Sequence, residues 1–241
     1  MAESVLRNQR IWLNGRALQT QANAVALSIA ADELDRTSLA DSFKVRRGGL
    51  KSGVVSCEGF FDADLDAGLD QAFGVAGQIV TIGAPDVGEG ALAYGLKAFA
   101  GDYSPWGGKI GDLAGFSLGA VSDGELVRGA IAADRTVSAN GTGVGIQLPA
   151  PAAPLRLFAG LHILSMSAGA TLDVEVKSAP TNAFAGGGTT RIDFGVVNAA
   201  AAPFAAWSSF AAGTTETWFR AAFTLTGTTP QAVVALFLGV A

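Results

Sequence analysis

The sequence holds only one cysteine, Cys57, and one histidine, His162, in 241 residues. A single cysteine excludes a disulfide within the chain. Imidazole and thiolate donors are too few for a transition-metal site, so any metal site would have to be all-oxygen, for Ca²⁺ or Mg²⁺. Both residues fall in segments of strand-like alternation, and we expect them to serve packing rather than chemistry.

Charged side chains are also scarce. They make up 15% of the residues, against about 25% in ordinary soluble domains. The net charge of −5 disfavours a protein that reads nucleic acid, which would present a basic face, but it is compatible with one along which nucleic acid slides. Two explanations remain open for the low charge. The chain is a β protein rich in small residues and glycine, or part of its surface is covered by a neighbouring copy.

No apolar run approaches the ~20 residues that a transmembrane helix needs, and the polar start MAESVLRNQR is unlike a signal peptide. We therefore expect no membrane partner and assembly in the cytoplasm. What the chain does have is glycine, 32 residues of it, and regular alternation of apolar and polar side chains. These features predict a mainly β fold.

In the first half, the alternation at residues 25–29 predicts a half-buried strand, and Asn14-Gly15 is a favoured hairpin pair after a short strand at 11–13. A basic, glycine-containing loop then leads into a strand at 53–61. The period changes next. Helical spacing over 62–73 predicts one short helix capped by Asp62 or Asp64 and ended by Gly74. The predicted core face of this helix is Leu65, Leu69 and Phe73.

The second half reads almost entirely as strands, at 155–167, 172–176, 192–196, 219–225 and 232–240. The last of these is apolar on both faces and should be central in a sheet or lie against another subunit. Glycine and proline are concentrated at 140–154, and only eight charged side chains follow residue 141. We therefore predict two β domains, at 1–139 and 155–241, with 140–154 as a linker.

Motifs that could carry catalysis are weak. Ser117 lies in a G-x-S-x-G pattern, and with Asp134 and His162 it has the chain order of a serine hydrolase. However, the following residues continue a strand where the nucleophile elbow requires a helix. We therefore predict no catalytic residue and no enzyme, with the hydrolase as a remote alternative.

The acidic run of Asp62, Asp64, Asp66 and Asp70 lacks the glycine and the final glutamate of a calcium loop. Capping and a solvated helix face explain it better. Gly186-Gly187-Gly188 lacks the lysine and the helix of a phosphate-binding loop. We expect neither a metal nor another cofactor.

The basic segment allows two interpretations. It is a solvated loop of mixed charge, or it docks into a complementary patch on an identical subunit. Exposed ion pairs contribute only about 0–1 kcal/mol each, so apolar edges and strand addition would supply most of the association. The basic residues concerned are Arg36, Lys44, Arg46, Arg47 and Lys51.

The order of these elements resembles the major tail tube proteins of long-tailed, siphovirus-type bacteriophages. The resemblance covers most of residues 9–135, and the second half is similar to C-terminal β domains attached to such proteins. The segments that carry it are RIWLNG, AVALSIAADELD, FKVRRGGLKS, VVSCEGFFDADLDAGLDQAFG, ALAYGLKAFAGDYS and DLAGFSLGAV, followed by LRLFAGLHILSMS, ATLDVEVKSA, ETWFRAAFTLTG and ALFLGVA.

The resemblance implies a β-sandwich or barrel with one flanking helix, and a second, C-terminal β-sandwich that belongs to the tube wall or decorates it. Subunits would form stacked rings, of six copies or of three two-domain copies, around a lumen through which genomic DNA passes. By resemblance, the loop from Arg36 to Lys51 reaches the adjacent ring. The expected partners are further copies and the tail terminator, tape measure and distal tail proteins of a virion. Our candidates for lumen-facing acids are Asp32, Glu33 and Asp35.

A second function remains open beside the tail tube. The chain could be another virion component, such as a decoration or glycan-binding β module. Trp207, Trp218 and Phe219 would then offer a stacking platform for a sugar, although core packing explains these aromatic residues as well.

Overall fold

The computed structural model describes residues 9–85, 88–211 and 213–241. The described residues form fifteen strands, which pair in antiparallel sheets, and one α-helix, α1 (Ala63–Ala72). The prediction of a mainly β chain with one short helix is therefore confirmed. In chain order the strands are β1 (Ile11–Leu13), β2 (Arg16–Ala17), β3 (Ala22–Asp35), β4 (Arg46–Phe60), β5 (Gln78–Gly83), β6 (Leu92–Gly107), β7 (Gly115–Val137), β8 (Gly141–Thr142), β9 (Ile146–Gln147), β10 (Leu157–Met166), β11 (Thr171–Ala179), β12 (Thr189–Asn198), β13 (Phe204–Phe210), β14 (Trp218–Thr226) and β15 (Ala232–Val240).

The chain forms two compact units. The first, which we call the sandwich unit, comprises the described residues within 9–20, 77–97 and 127–241. The second, the arm unit, comprises residues 21–76 and 98–126. Strands β6 and β7 contribute residues to both.

This division differs from the boundary predicted at 140–154. Residues in that segment form β8 and β9, which pair with β14, and Ile146 is buried. The C-terminal strand β15 pairs with β7 of the first half along residues 129–137. Long-range pairing of this kind leaves no local mark in the sequence. The two domains at 1–139 and 155–241 therefore stay a prediction. Residues 1–8 of the first predicted domain lie outside the described residues.

The sandwich unit packs two sheets face to face. One has the order β13-β10-β15-β7-β6-β5-β1-β2, and the other contains β12-β11-β14 with β8 and β9. Alternate side chains of β15 and β10 meet those of β11 and β14 in one core. The opposite face of β15 joins a second core around Trp12 and Phe237. The prediction that this strand is central is therefore confirmed.

The arm unit is built on a sheet in which β4 pairs with β3 on one side and β7 on the other. Asp62 caps α1 by accepting hydrogen bonds from the backbone N–H groups of Asp64 and Leu65. Gly74 follows the helix with φ of +74°, as predicted for its end. Leu65 and Leu69 are buried, whereas Phe73 is 46% exposed because the helix ends at Ala72 and Phe73 has already turned to extended backbone.

One further expectation differs from the structure. Strand β4 begins at Arg46 and not at residue 53, so Arg46, Arg47 and Lys51 belong to a strand while Arg36 and Lys44 lie in the turn at 36–45. The alanine-rich stretch at 199–210 forms a short 3₁₀ turn followed by β13.

Candidate functional site: the arm unit and its open edge

The hydrolase alternative fails on the geometry of the histidine. His162 is fully buried on β10, where its Nδ1 accepts a hydrogen bond from the backbone N–H of Gly15 at 3.2 Å. Its Nε2 lies 3.0 Å from the hydroxyl of Thr81. Because Nδ1 accepts, Nε2 carries the proton and donates it to that hydroxyl. Burial lowers the pKa of His162 to about 3. Neither nitrogen is free to act as a base.

The other two members of the supposed triad are not placed for catalysis either. In the pairing register, Ala235 lies between Asp134 and His162, which puts them two strand spacings apart, roughly 10 Å. Asp134 instead binds Arg10 at 3.0 Å. Ser117 lies within the continuous strand β7, so no sharp turn exposes its hydroxyl as a nucleophile elbow would.

No other chemical site emerges from the described residues. Among them, no group of three His, Cys, Asp or Glu side chains could hold a metal ion, and no helix is long and apolar enough to cross a membrane. Phe219 is buried and Trp207 stacks on Phe237 with ring centroids 6.0 Å apart. Trp218 is partly buried. Of the three predicted platform residues, Phe219 therefore has no exposed ring, and one face of the Trp207 ring is covered.

Exposed large apolar side chains are concentrated in the arm unit. Of the 19 large apolar side chains that are exposed in the described part of the chain, 15 belong to this smaller unit. It contains only 10 of the 49 buried apolar side chains. Monomeric proteins rarely leave so much apolar surface concentrated in one region. The distribution indicates a unit that is incomplete in a single copy.

Within the described residues, the arm unit has an unpaired strand edge on β3. In the described structure β3 pairs only with β4, so its other edge is open along 14 residues, about 46 Å. Residues 22–31 carry no charged side chain and no proline. Natural monomers protect exposed edges with charges, prolines or short strands, and this edge has none of these over its first ten residues.

The outward direction of one edge amide follows from a neighbouring hydrogen bond. Gly53, the register partner of Ile29, donates its N–H to the hydroxyl of Ser122 on β7 at 2.8 Å. The pair Ile29–Gly53 is therefore not hydrogen-bonded between β3 and β4, and in an antiparallel ladder the N–H of Ile29 must point away from β4. It is available to an additional strand.

Beyond residue 53 the sheet narrows to a hairpin. β7 pairs with β4 only from Val54 to Phe60, so residues 30–35 and 46–52 pair only with each other. We call residues 30–52 the hairpin arm. Its ribbon is about 20 Å long, and its turn exposes Leu39 completely and Phe43 to 85%. An isolated two-stranded ribbon is marginally stable at best, so this one depends on further contacts.

The charged residues predicted for function all lie on the hairpin arm. Glu33 binds Arg46, and hydrogen bonds from Thr37 and Ser38 lower the pKa values of Asp35 and Asp41 respectively. By contrast, no ion pair among the described residues involves the remaining cations, which are Arg36, Lys44, Arg47 and Lys51.

One face of the arm unit's sheet is covered and the other is open. Val55, Cys57, Phe116, Leu118 and Ala120 are buried on the first. The open face consists of small and polar side chains and two exposed valines, with one carboxylate in these rows and no Lys or Arg. Its rows are Ala24–Glu58–Ser117, Ala26–Ser56–Gly119 and Ser28–Val54–Val121.

A second carboxylate adjoins this open face. A Cβ atom placed on Gly119 would lie 3.2 Å from that of Asp102, which sets the Asp102 side chain beside the middle row. A shallow depression of about 360 Å³ at the end of the same face is lined by Glu58, Phe60 and Ser117 among others. Sequence patterns did not single out Glu58 or Asp102. The uncharged run at residues 22–31 was the available signal for the open edge.

No protein-family model matches the chain, and no curated protein matches it. Solved structures do. A chain of the virion of the native gene transfer agent (GTA) particle is 24% identical, with a TM-score of 0.40 over 48% of this chain and 92% of that one. A chain from the tail of the empty GTA particle, refined helically with C6 symmetry, is 25% identical, with a TM-score of 0.38 over 44% and 80%.

The Dit protein of phage SPP1, described as a paradigm of the hub adsorption apparatus of phages that infect Gram-positive bacteria, is 10% identical, with a TM-score of 0.37 over 98% and 100%. These three structures come from gene transfer agent particles and from a phage. All three TM-scores are below 0.5, so these likenesses by themselves establish no function for this chain.

Proposed function

We propose that this chain is a structural protein of a phage-type tail, and specifically a subunit that assembles into stacked rings around a channel for DNA. The observation that carries this proposal is the open, unprotected edge of β3 in a unit that leaves most of its large apolar side chains exposed. Adding a strand from a second copy to that edge removes both liabilities at once. The resemblance of residues 9–135 to tail tube proteins supports the same proposal.

Closure into a ring follows from the type of contact. An edge that joins a different edge of the next copy makes a head-to-tail interface, and such an interface either closes into a ring or continues as a filament. A closed ring leaves no free strand edge laterally. Rings of six copies, or of three copies that each contribute two domains, remain the two candidate stoichiometries.

The open face of the arm unit's sheet suits the wall of a DNA channel. Its rows hold no Lys or Arg that would bind phosphate, and Glu58 and Asp102 would repel phosphate groups, so DNA would pass without sticking. Asp32, Glu33 and Asp35 stay a prediction for the lumen, since all three are exposed on the hairpin arm. A virion location and the absence of enzymatic activity belong to the same proposal.

The test is to purify the protein and examine it by negative-stain microscopy and native mass spectrometry. We expect rings or tubes of constant width and a mass that is a multiple of three or six subunits. A monodisperse monomer at high concentration would overturn the proposal.

A single substitution tests the role of the β3 edge. Ile29→Pro removes an N–H that points outward and no hydrogen bond between β3 and β4, and proline is tolerated on edge strands. We expect a folded monomer that forms no rings. The matched control is Ile29→Thr, which keeps the N–H and the β-branched side chain and should still assemble. Rings of normal size from the proline variant would exclude this edge from the interface.

A further inference from the structure

The arm unit has two chemically different ends. In the register of β4 with β7, Val54 pairs with Val121 and Phe60 with Gly115. The hairpin arm therefore leaves the sheet at the Val54 end. The opposite end contains the turn at 108–114 and the start of α1, which begins at Ala63, three residues after Phe60. We call this second end, formed by residues 60–70 and 106–114, the acidic end.

The acidic end holds five aspartates and one lysine, Lys109, whereas the hairpin arm holds five basic and four acidic side chains. Helix α1 contains no basic residue, while Asp64 and Asp70 are exposed on it. Asp62 and Asp66 are engaged locally, since Asp62 caps the helix and Asp66 accepts a hydrogen bond from the hydroxyl of Tyr103 at 2.5 Å.

Apolar side chains are exposed at both ends. At the acidic end, Trp106 is 65% exposed beside Phe61, and Ile110 and Leu113 protrude from the neighbouring turn. On the hairpin arm the corresponding side chains are Leu34, Leu39, Phe43 and Leu50. Each end thus combines uncovered apolar surface with charge. The acidic end has a net charge of −4 and the hairpin arm a net charge of +1. Three of the four acids on the arm are held by Arg46 or by hydrogen bonds in its turn.

We propose that the hairpin arm of one copy docks on the acidic end of another copy, so that copies join along the sheet direction in one orientation only. This proposal rests on the proposed function and names the receiving surface for the hairpin arm. Lys44, Arg47 and Lys51 meet the carboxylates of α1, and the exposed apolar side chains of the two ends cover one another. The ion pairs set the register, and the apolar contacts supply most of the affinity.

The direction of stacking follows from this pairing. Two acidic ends repel each other. Two hairpin arms offer each other little in return, because Glu33, Asp35 and Asp41 are engaged within their own arm. A ring therefore presents arms on one side and acidic ends on the other. A stack built in this way has two different ends and can grow without closing, as a heterologous contact allows.

Charge reversal tests the pairing with two variants that leave the helix cap and the Tyr103 hydrogen bond intact. The arm variant carries Arg47→Glu with Lys51→Glu. The receiver variant carries Asp64→Lys with Asp70→Lys. We expect each to fold and form single rings but no stacks. The control carries Arg128→Glu with Arg156→Glu on the sandwich unit, which is the same change in charge as in the arm variant. It should stack as the natural chain does, because both of these arginines are exposed on that unit.

Mixing the two variants is the decisive measurement. An acidic arm can dock only on the reversed receiver, and a basic arm only on the natural one, so stacks should form when both proteins are present and alternate between them. Circular dichroism shows whether each variant keeps its fold.

The outcomes separate this proposal from the proposed function. If the receiver variant alone stacks normally, or if the mixture does not stack although both variants form rings, the acidic end is not the receiver and the ring proposal stands. If the natural chain forms no oligomer at all, the proposed function itself fails.

Discussion

The two units of this protein differ in how completely they bury their apolar side chains. The sandwich unit places alternate side chains of its strands in two cores, so that β15 is buried on both faces. The arm unit buries one face of its sheet, leaves the other open and extends a ribbon that has no covered face at all. The sandwich unit therefore contains most of the buried apolar side chains of the single chain, and the proposed contacts between copies fall on the arm unit. Substitutions should affect stability in one unit and assembly in the other.

The largest difference should come from the same substitution made in each unit. Phe237→Ala removes a ring that is fully buried and stacked on Trp207, and should lower the free energy of unfolding by about 4 kcal/mol. Phe43→Ala removes a ring that is 85% exposed and should change that free energy by less than about 0.5 kcal/mol. Urea denaturation of the unassembled protein measures both.

The assembly of the same two proteins gives the converse result. Phe43→Ala should shorten the stacks while Phe237→Ala, where it still folds, should leave their contacts unchanged. Equal losses of stability in the two variants would mean that the hairpin arm is covered within one copy, contrary to the division drawn here.

Sequence patterns predicted the sandwich unit better than the arm unit, and the reason is physical. Alternation at residues 172–176 and 219–225 predicts strands because one face of each is buried against a core. Residues 46–51 also belong to a strand, but both of their faces meet solvent, and their charge and glycine are typical of a loop. A strand without a buried face leaves no period of two.

The candidate site shows the same limit. The sequence contained Asn14-Gly15, and the structure has the expected two-residue turn with φ of +47° and +77° at these residues. The sequence could not show that β3 pairs only with β4 among the described strands, or that Asp102 lies beside Gly119. Both features depend on contacts between distant segments.

A second comparison concerns glycines. A Cβ atom at Gly129 in the sandwich unit would collide with the backbone carbonyl of Leu238 on the paired strand β15. Gly129→Ala should therefore force β7 and β15 apart and cost about 3 kcal/mol. Gly48 on the hairpin arm has no atom within 4 Å of such a Cβ and no positive φ, so Gly48→Ala should be neutral within about 0.5 kcal/mol. Thermal unfolding of both variants checks this, and a loss at Gly48 equal to that at Gly129 would contradict it.

Acidification should act on the sandwich unit through its buried histidine. The pKa of His162 is about 3 in the folded chain and about 6.5 when exposed, so between these values the unfolded chain binds more protons. Stability therefore falls as the pH is lowered below 6.5, by up to about 1.4 kcal/mol per pH unit. From pH 7 to pH 5 the loss should be about 2 kcal/mol.

The control for this effect is His162→Gln, which cannot titrate. It should be less stable than the natural chain at pH 7, because the hydrogen bonds with Gly15 and Thr81 are altered. Its stability should nevertheless change less between pH 7 and pH 5. The same pH dependence in both proteins would assign the effect to other groups.

The smallest expected effect distinguishes the units within the intact, unassembled chain. Cys57 lies on the covered face of the arm unit, and burial raises the pKa of its thiol to about 12, so a thiol reagent can reach a thiolate only after local opening. Because the arm unit has few buried contacts, we expect its opening to require about 1 kcal/mol less than that of the sandwich unit.

The matched probe for that comparison is Ala221→Cys combined with Cys57→Ser, which places a thiol at a fully buried position of β14. Labelling rates at pH 8 give both opening free energies, and equal rates would show that the units open together. Assembly sharpens the test, because a neighbouring copy that completes the arm unit should slow the labelling of Cys57 far more than that of the thiol introduced on β14.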